Sequence, residues 1–183
     1  MIAYKGFLPG LICRDYQFKM GLNVTEKANC AHNGFHCAED PLDCLSYYGD
    51  INHAEYYIVD AGGDIDEDGV DSKISCTELT ILKRLTKKEL FLHGLAFMAD
   101  HPKRKWNSNI KADKAEAWNG YAAVRGADPI AKGTRNGDVL AFAKEDGTTG
   151  GIQQIVVAEI DGKTLQPGIW YLSLIHISEP TRR

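Results

Sequence analysis

The chain has 183 residues, 44% of them hydrophobic, 25% charged and 9% aromatic, which fits one ordinary globular domain with room for a small appendage and excludes a disordered or collagenous protein. Its formal net charge is −4. No apolar run reaches the roughly 18 residues of a bilayer span, and the start, Met1-Ile2-Ala3-Tyr4-Lys5-Gly6, lacks the basic-then-apolar pattern of a secretory signal. Five cysteines in no regular framework read as reduced thiols, so a cytoplasmic location is expected.

In chain order, Tyr4 to Leu8 reads as a strand, Pro9-Gly10 as a turn and Tyr16 to Met20 as a second short strand. Asp40-Pro41 opens a helix through Tyr48, with Asp40 as N-cap, Pro41 at the first helical position and Leu42, Leu45 and Tyr48 as its apolar stripe. Gly49 stops it. Glu55 to Ala61 is a strand ended by Gly62-Gly63, and Thr77 to Met98 is predicted to be helical, with Gly94 as a break or bend. After His101-Pro102 the composition turns to Ala and Gly, and Gly120, Gly126 and Gly133 suggest one or two coils of a β-solenoid. So few coils bury little, so they are expected to lean on the first domain. A hairpin from Val139 to Ala143 and Ile152 to Ile160 follows, then a last strand at Ile169-Trp170-Tyr171. The run from Leu172 to Arg182 matches the translation of a transposase-based sequencing adaptor, so the native reading frame is expected to run off near Tyr171, with whatever follows in the intact gene replaced by the adaptor. The fold class expected is α+β. A mixed β-sheet domain with two helices occupies residues 1–100, a small β-rich part with a vestigial repeat occupies 101–171, and 172–183 is a non-native tail.

Charge is unevenly laid out. From Ala28 to Ser72 there is no Lys or Arg against eleven acids, among them Glu39, Asp40, Asp43, Asp64, Asp66, Glu67, Asp68 and Asp71. From Lys73 to Lys105 eight basic residues face three acids. The acidic block can imitate a nucleic-acid backbone. Lys83, Arg84, Lys87, Lys88, Lys103, Arg104 and Lys105 can instead meet phosphates directly, with Trp106 stacking on a base. Two solvated faces of opposite sign are the plainer reading.

Cys30, His32, His36, Cys37 and Cys44 lie close in sequence, but their spacing matches no established zinc knuckle. Asp64, Asp66, Asp68 and Gly69 match the opening of a calcium loop, whose twelfth position holds Ser75 where a bidentate Glu is needed. No metal is therefore expected. A P-loop, a dinucleotide fingerprint and a nucleophile elbow are all missing, and no cofactor is expected.

The order Lys5-Gly6-Phe7, Cys13-Arg14, Tyr16-Gln17-Phe18, Gly34-Phe35-His36, Pro41-Leu42-Asp43, Tyr47-Tyr48 and Asp71-Ser72-Lys73 resembles an uncharacterised domain family of phages and prophages. Asp15 stands where that family usually has Gly, and its Gly/Ala repeats are reduced here. Gly34-Phe35-His36, the helix ending Tyr47-Tyr48 and the strand Tyr56 to Gly62 also look like the central block of ADP-ribosyltransferases. That resemblance implies a nicotinamide-type pocket around Gly34, Phe35, His36, Tyr47 and Tyr48. Lys5 takes the place of the His or Arg those enzymes carry on the first strand, and no later Glu matches their catalytic one.

The resemblances imply a phage accessory protein in the host cytoplasm that acts by binding, as a counter-defence inhibitor. Its acidic block would occupy the basic channel of a host defence protein such as a CRISPR nuclease, or its pocket would hold a nucleotide signal. The alternatives are an NAD-using ADP-ribosyltransferase and a structural phage protein. Direct nucleic-acid contact through residues 83–105 is the remaining partner reading, and no membrane partner is expected.

Overall fold

The structure, a computed structural model, describes residues 1–29, 33–67, 69 and 71–172, and the chain separates after Thr86 into two units. In the first, β1 (Ile2–Phe7) exposes Ile2 and buries Ala3, Lys5, Gly6 and Phe7. Pro9-Gly10 turns the chain into a tight hairpin of β2 (Ile12–Cys13) and β3 (Tyr16–Gln17). The strands β4 (Gly21–Val24) and β5 (Phe35–Ala38) follow, then a 3-10 helix over Pro41–Ser46, β6 (Glu55–Glu67) and β7 (Lys73–Leu85). One edge of β6 pairs antiparallel with β1 and the other with β7. The far edge of β7 takes β4 and β5, and β5 returns to β1 through Tyr4 and Ala38. The ladder thus closes around a core that includes Phe7, Phe18, Phe35, Tyr57, Val59, Ile74, Leu79 and Ile81.

Two expectations on this unit are corrected. Thr77 to Met98 is not one helix: Lys73–Leu85 is a strand, and the helix α1 begins at Lys87 and runs to Asp100. Leu79, Leu82 and Leu85 mimic helical spacing, but Thr77, Leu79 and Ile81 are buried while Glu78 and Leu82 are exposed. That period of two, with partners on both edges, prevails over the helical pattern. Gly62-Gly63 does not end β6 either. The ladder shifts register between Gly62 and Ile65, and the Asp64 amide donates to Thr77 Oγ1 at 2.9 Å before pairing resumes. A bulge keeps the strand going.

The segment opened by Asp40-Pro41 is a 3-10 helix that stops at Ser46. Asp40 Oδ1 accepts from the Leu42 amide at 2.9 Å, as an N-cap does. Leu42 and Leu45 are buried beneath it. Asp40→Ala is expected to cost about 1 kcal/mol in urea denaturation, because it removes that acceptor while Pro41 already lacks a donor.

The second unit opens with α1 (Lys87–Asp100), which continues through Gly94, a buried position, and packs against the later strands β10 and β11. Then come β8 (Lys111–Glu116), β9 (Tyr121–Lys132), β10 (Val139–Glu145), β11 (Ile152–Glu159) and β12 (Trp170–Leu172). The parallel pairs β8–β9 and β9–β10 are joined only by residues 117–120 and 133–138. Such links are too short for a helical crossover, so the chain winds as a coil. Antiparallel β11 and β12 close the two sides. Val124, Ala131, Leu140, Phe142, Ile160, Leu165 and Tyr171 form a core within the unit, in which the coil strands are joined by Ile160 and Leu165 after β11 and by Tyr171 of β12. The architecture is α+β and rich in β. No helix among the described residues is long and apolar enough to cross a membrane. The adaptor-like run beyond Leu172 lies outside the described residues.

Candidate functional site

A cavity of about 810 Å³ opens in the first unit. Each strand delivers a different kind of group. From β1 come Tyr4, Lys5 and Gly6; from the β2–β3 hairpin Cys13, Arg14, Asp15 and Tyr16; from β5 and the residue before it Gly34 to Ala38. Tyr47 and Tyr48, just past the 3-10 helix, and Lys73 at the start of β7 complete the rim. Gly34, Phe35, His36, Tyr47 and Tyr48 therefore line one concavity beside β1. Sequence reasoning did not place Cys13, Arg14, Tyr16 or Lys73 there, although all four fall in the Cys-Arg, Tyr-Gln-Phe and Asp-Ser-Lys blocks that carry the phage-family resemblance.

Lys5 anchors the floor and is 5% exposed. Its Nζ donates to the His36 carbonyl at 2.6 Å and to Cys13 Sγ at 3.6 Å, and lies 5.2 Å from the ring centroids of both Phe7 and Phe18. A buried ammonium needs such acceptors and ring faces to offset lost hydration. Tyr48 is clamped beside it. Its ring packs on Gly6, where a Cβ would come within 2.6 Å of Tyr48 Cδ2. The Tyr56 hydroxyl donates to the Tyr48 carbonyl, and the Tyr48 hydroxyl donates to Cys13 Sγ at 3.1 Å. Burial, and then that bond to Cys13, push the Tyr48 phenol well above its ordinary value. Burial also lifts Tyr4, with Asp40 adding to it, and pushes Cys44 up to about 12. Cys37 is raised well above a normal thiol, chiefly by a hydrogen bond to Cys76, which that same bond lowers. Tyr16, Phe18 and Phe35 form an aromatic wall with centroids 4.5 to 5.1 Å apart. Arg14, at the hairpin tip, has φ 53°, a strained value for a residue with a Cβ.

The acidic block is not one face. Asp40 and Asp43 are buried and serve the fold. Asp40 caps the 3-10 helix, and Asp43 Oδ2 accepts from the Ser72 amide at 3.1 Å and its hydroxyl at 2.6 Å. Both carboxylates are thus enclosed and engaged within the fold, which leaves little of either for an outside partner. Asp64, Asp66 and Glu67 are exposed on the last turns of β6, and Glu39 and Asp71 are half-buried. Asp71 Oδ1 accepts from the Lys73 amide at 2.7 Å. Asp68 lies outside the described residues. Asp64, Asp66 and Glu67 belong to a paired strand and not to a calcium loop. Among the described residues no cluster of His, Cys, Asp or Glu could hold a metal ion; Cys30 and His32 are outside them.

The basic segment is also divided. Lys83 and Arg84 are exposed on β7 in the first unit, where Arg84 pairs with Glu55 at 3.0 Å. Lys87 and Lys88 start α1, and Lys103, Arg104 and Lys105 follow it in the second unit. Arg104 lies over the Phe97 ring at 5.7 Å. Trp106 is half-buried, and the buried Arg125 guanidinium lies 4.2 Å from its ring centroid, so one face of the ring is engaged within the second unit.

No curated protein and no solved structure matches the chain. A family model does match, over residues 1–93, which takes in the whole first unit with its cavity and the beginning of α1. By that match, over just more than half its length, the chain belongs to the family described as a domain of unknown function, DUF7666.

Proposed function

We propose that the first unit binds a small anionic ligand carrying a planar ring, with nucleotides as the class that fits, and acts by holding it. The observation that carries this reading is the lining of the cavity. Lys5, Arg14 and Lys73 stand against Asp15 as the one carboxylate among the described lining residues, between tyrosine and phenylalanine rings. Cationic donors suit phosphate oxygens, and ring faces suit a base or a nicotinamide. Lys5 stands where ADP-ribosyltransferases carry a His or Arg, a departure that fits a pocket without the transfer reaction. A lining with one acid favours retention of a ligand over transfer. In the phage setting that the sequence blocks suggest, the protein is then a counter-defence factor that removes a nucleotide signal from the host cytoplasm.

A second reading has its own observation. Asp64, Asp66 and Glu67 stay exposed at the end of β6, and such a strip suits the basic channel of a host nuclease, through steering and charge complementarity. Calorimetry of the full chain with NAD, ADP-ribose and cyclic nucleotides separates the two. Binding of at least one is expected, weakened about tenfold by Arg14→Ala and by Tyr47→Ala, or about 1.4 kcal/mol each. Lysines in place of Asp64, Asp66 and Glu67 are expected to leave it unchanged. No binding by any nucleotide, together with nuclease inhibition that this reversal abolishes, would replace the first reading with the second.

A further inference from the structure

We propose that Cys13 is a covalent capture site within the same cavity, where its thiol adds to the alkene of a small α,β-unsaturated carbonyl compound. The proposal rests on the cavity reading only for access to the sulfur, and nucleotide binding makes no use of the reaction. Cys13, Cys37 and Cys44 all border the cavity, but Cys13 is half-buried while Cys37, Cys44 and Cys76 are buried. Two donors converge on its Sγ: the Tyr48 hydroxyl at 3.1 Å and the Lys5 ammonium at 3.6 Å. A neutral thiol sulfur is a weak acceptor. Two donors on one sulfur, one of them cationic, instead favour the negative charge that builds on sulfur as it attacks. Both are held in place without the sulfur. The His36 carbonyl fixes Lys5 at 2.6 Å, while the fit of the Tyr48 ring on Gly6 and the Tyr56 hydroxyl on its carbonyl fix Tyr48.

In the step itself the Sγ–C bond forms at the β carbon as the C=C π bond breaks. The electron pair passes to the carbonyl as an enolate, and the proton that left the thiol ends on the α carbon. Thiol and alkene become a thioether, and nothing else is consumed. An activated alkene with a carbonyl suits this cavity better than an alkyl halide, because the enolate oxygen needs a cation and Arg14 lines the same space.

N-ethylmaleimide, an activated alkene of this class, is the probe. The full chain is labelled under pseudo-first-order conditions, and peptide mapping by mass spectrometry gives the rate at each cysteine. Cys13 is expected to react about tenfold faster than glutathione at the same pH, and Cys13→Ala to remove that phase. Tyr48→Phe takes away only the hydroxyl and is expected to slow Cys13 alone, with the melting temperature held. Lys5→Met is expected to slow it further, and Lys5→Arg to restore part of the rate. If Lys5→Met does not fold, Tyr48→Phe decides. A Cys13 rate no greater than that of glutathione overturns the proposal, and so does an unchanged rate in Tyr48→Phe. Fast labelling in a chain that binds no nucleotide sinks the ligand reading and leaves this one standing. Slow labelling in a chain that binds one does the reverse.

Discussion

Replacing Arg125 by methionine lowers the stability of the second unit by about 3 kcal/mol in urea denaturation. The side chain is 3% exposed, and its Nε donates to Glu145 Oε1 at 2.5 Å. Nη2 donates to the Pro102 and Gly150 carbonyls at 3.2 Å each, and Trp106 covers the guanidinium at 4.2 Å. Methionine keeps much of the volume but strands one carboxylate and two carbonyl oxygens. Glu145→Gln keeps an acceptor for Nε and leaves a buried cation uncompensated, so its cost is of the same order. The two costs are not additive, because the double variant no longer holds an unpaired charge. Nη1 has no hydrogen-bond partner among the described residues, which reduces what the pair contributes without reducing what breaking it costs. An unchanged urea midpoint in Arg125→Met would contradict this account.

Gly34→Ala costs about 3 kcal/mol and is expected to remove the nucleotide binding proposed for the cavity. Gly34 has φ 88°, and a Cβ there would stand 2.2 Å from Ser75 Oγ and 2.9 Å from Ala28 Cα. Ser75 is fully buried and its hydroxyl donates to the Asn33 carbonyl at 2.7 Å, so it cannot step aside. The left-handed conformation contributes roughly 1–2 kcal/mol and the overlap a further 1–3. The strain falls on β5, which carries Phe35 and His36 into the cavity. Gly10→Ala is the matched control. Its φ is 85° with no atom within 4 Å of the added carbon, so it loses only the conformational part, about 1 kcal/mol. Thermal unfolding of both variants, with calorimetry on the same samples, checks the difference. Equal losses would show that the Ser75 contact has no weight.

Local chemistry was legible wherever a residue answers to its sequence neighbours. Asp40 before Pro41 marks a cap whatever the rest of the chain does, and the cap is there. The hairpin of β10 and β11 and the last strand also follow from alternation and turn residues close in sequence. The cavity was legible in part. The Gly-aromatic-His block and the Tyr pair are a motif, but Lys5 and Cys13 owe their meeting to β1 and the β2–β3 hairpin folding over β5. No spacing announces that meeting.

Composition and local pattern thus determined by themselves that the chain is an α+β protein without an apolar spanning run, and where the Asp40 cap, the first strand and the strands β10, β11 and β12 lie. The tertiary structure decided the rest, for reasons of pairing and burial. Leu79, Leu82 and Leu85 are compatible with either period, and only β4, β5 and β6 on its two edges make Lys73–Leu85 a strand. A carboxylate in the sequence is equally acidic at Asp43 and Asp66. Yet Asp43 is enclosed with the Ser72 donors while Asp66 faces solvent, and charge counts carry no record of which acid is enclosed. Lys5, Cys13 and Tyr48 converge for the same reason: side-chain hydrogen bonds across 8 and 35 residues exist only after the strands that carry them have closed around a common core.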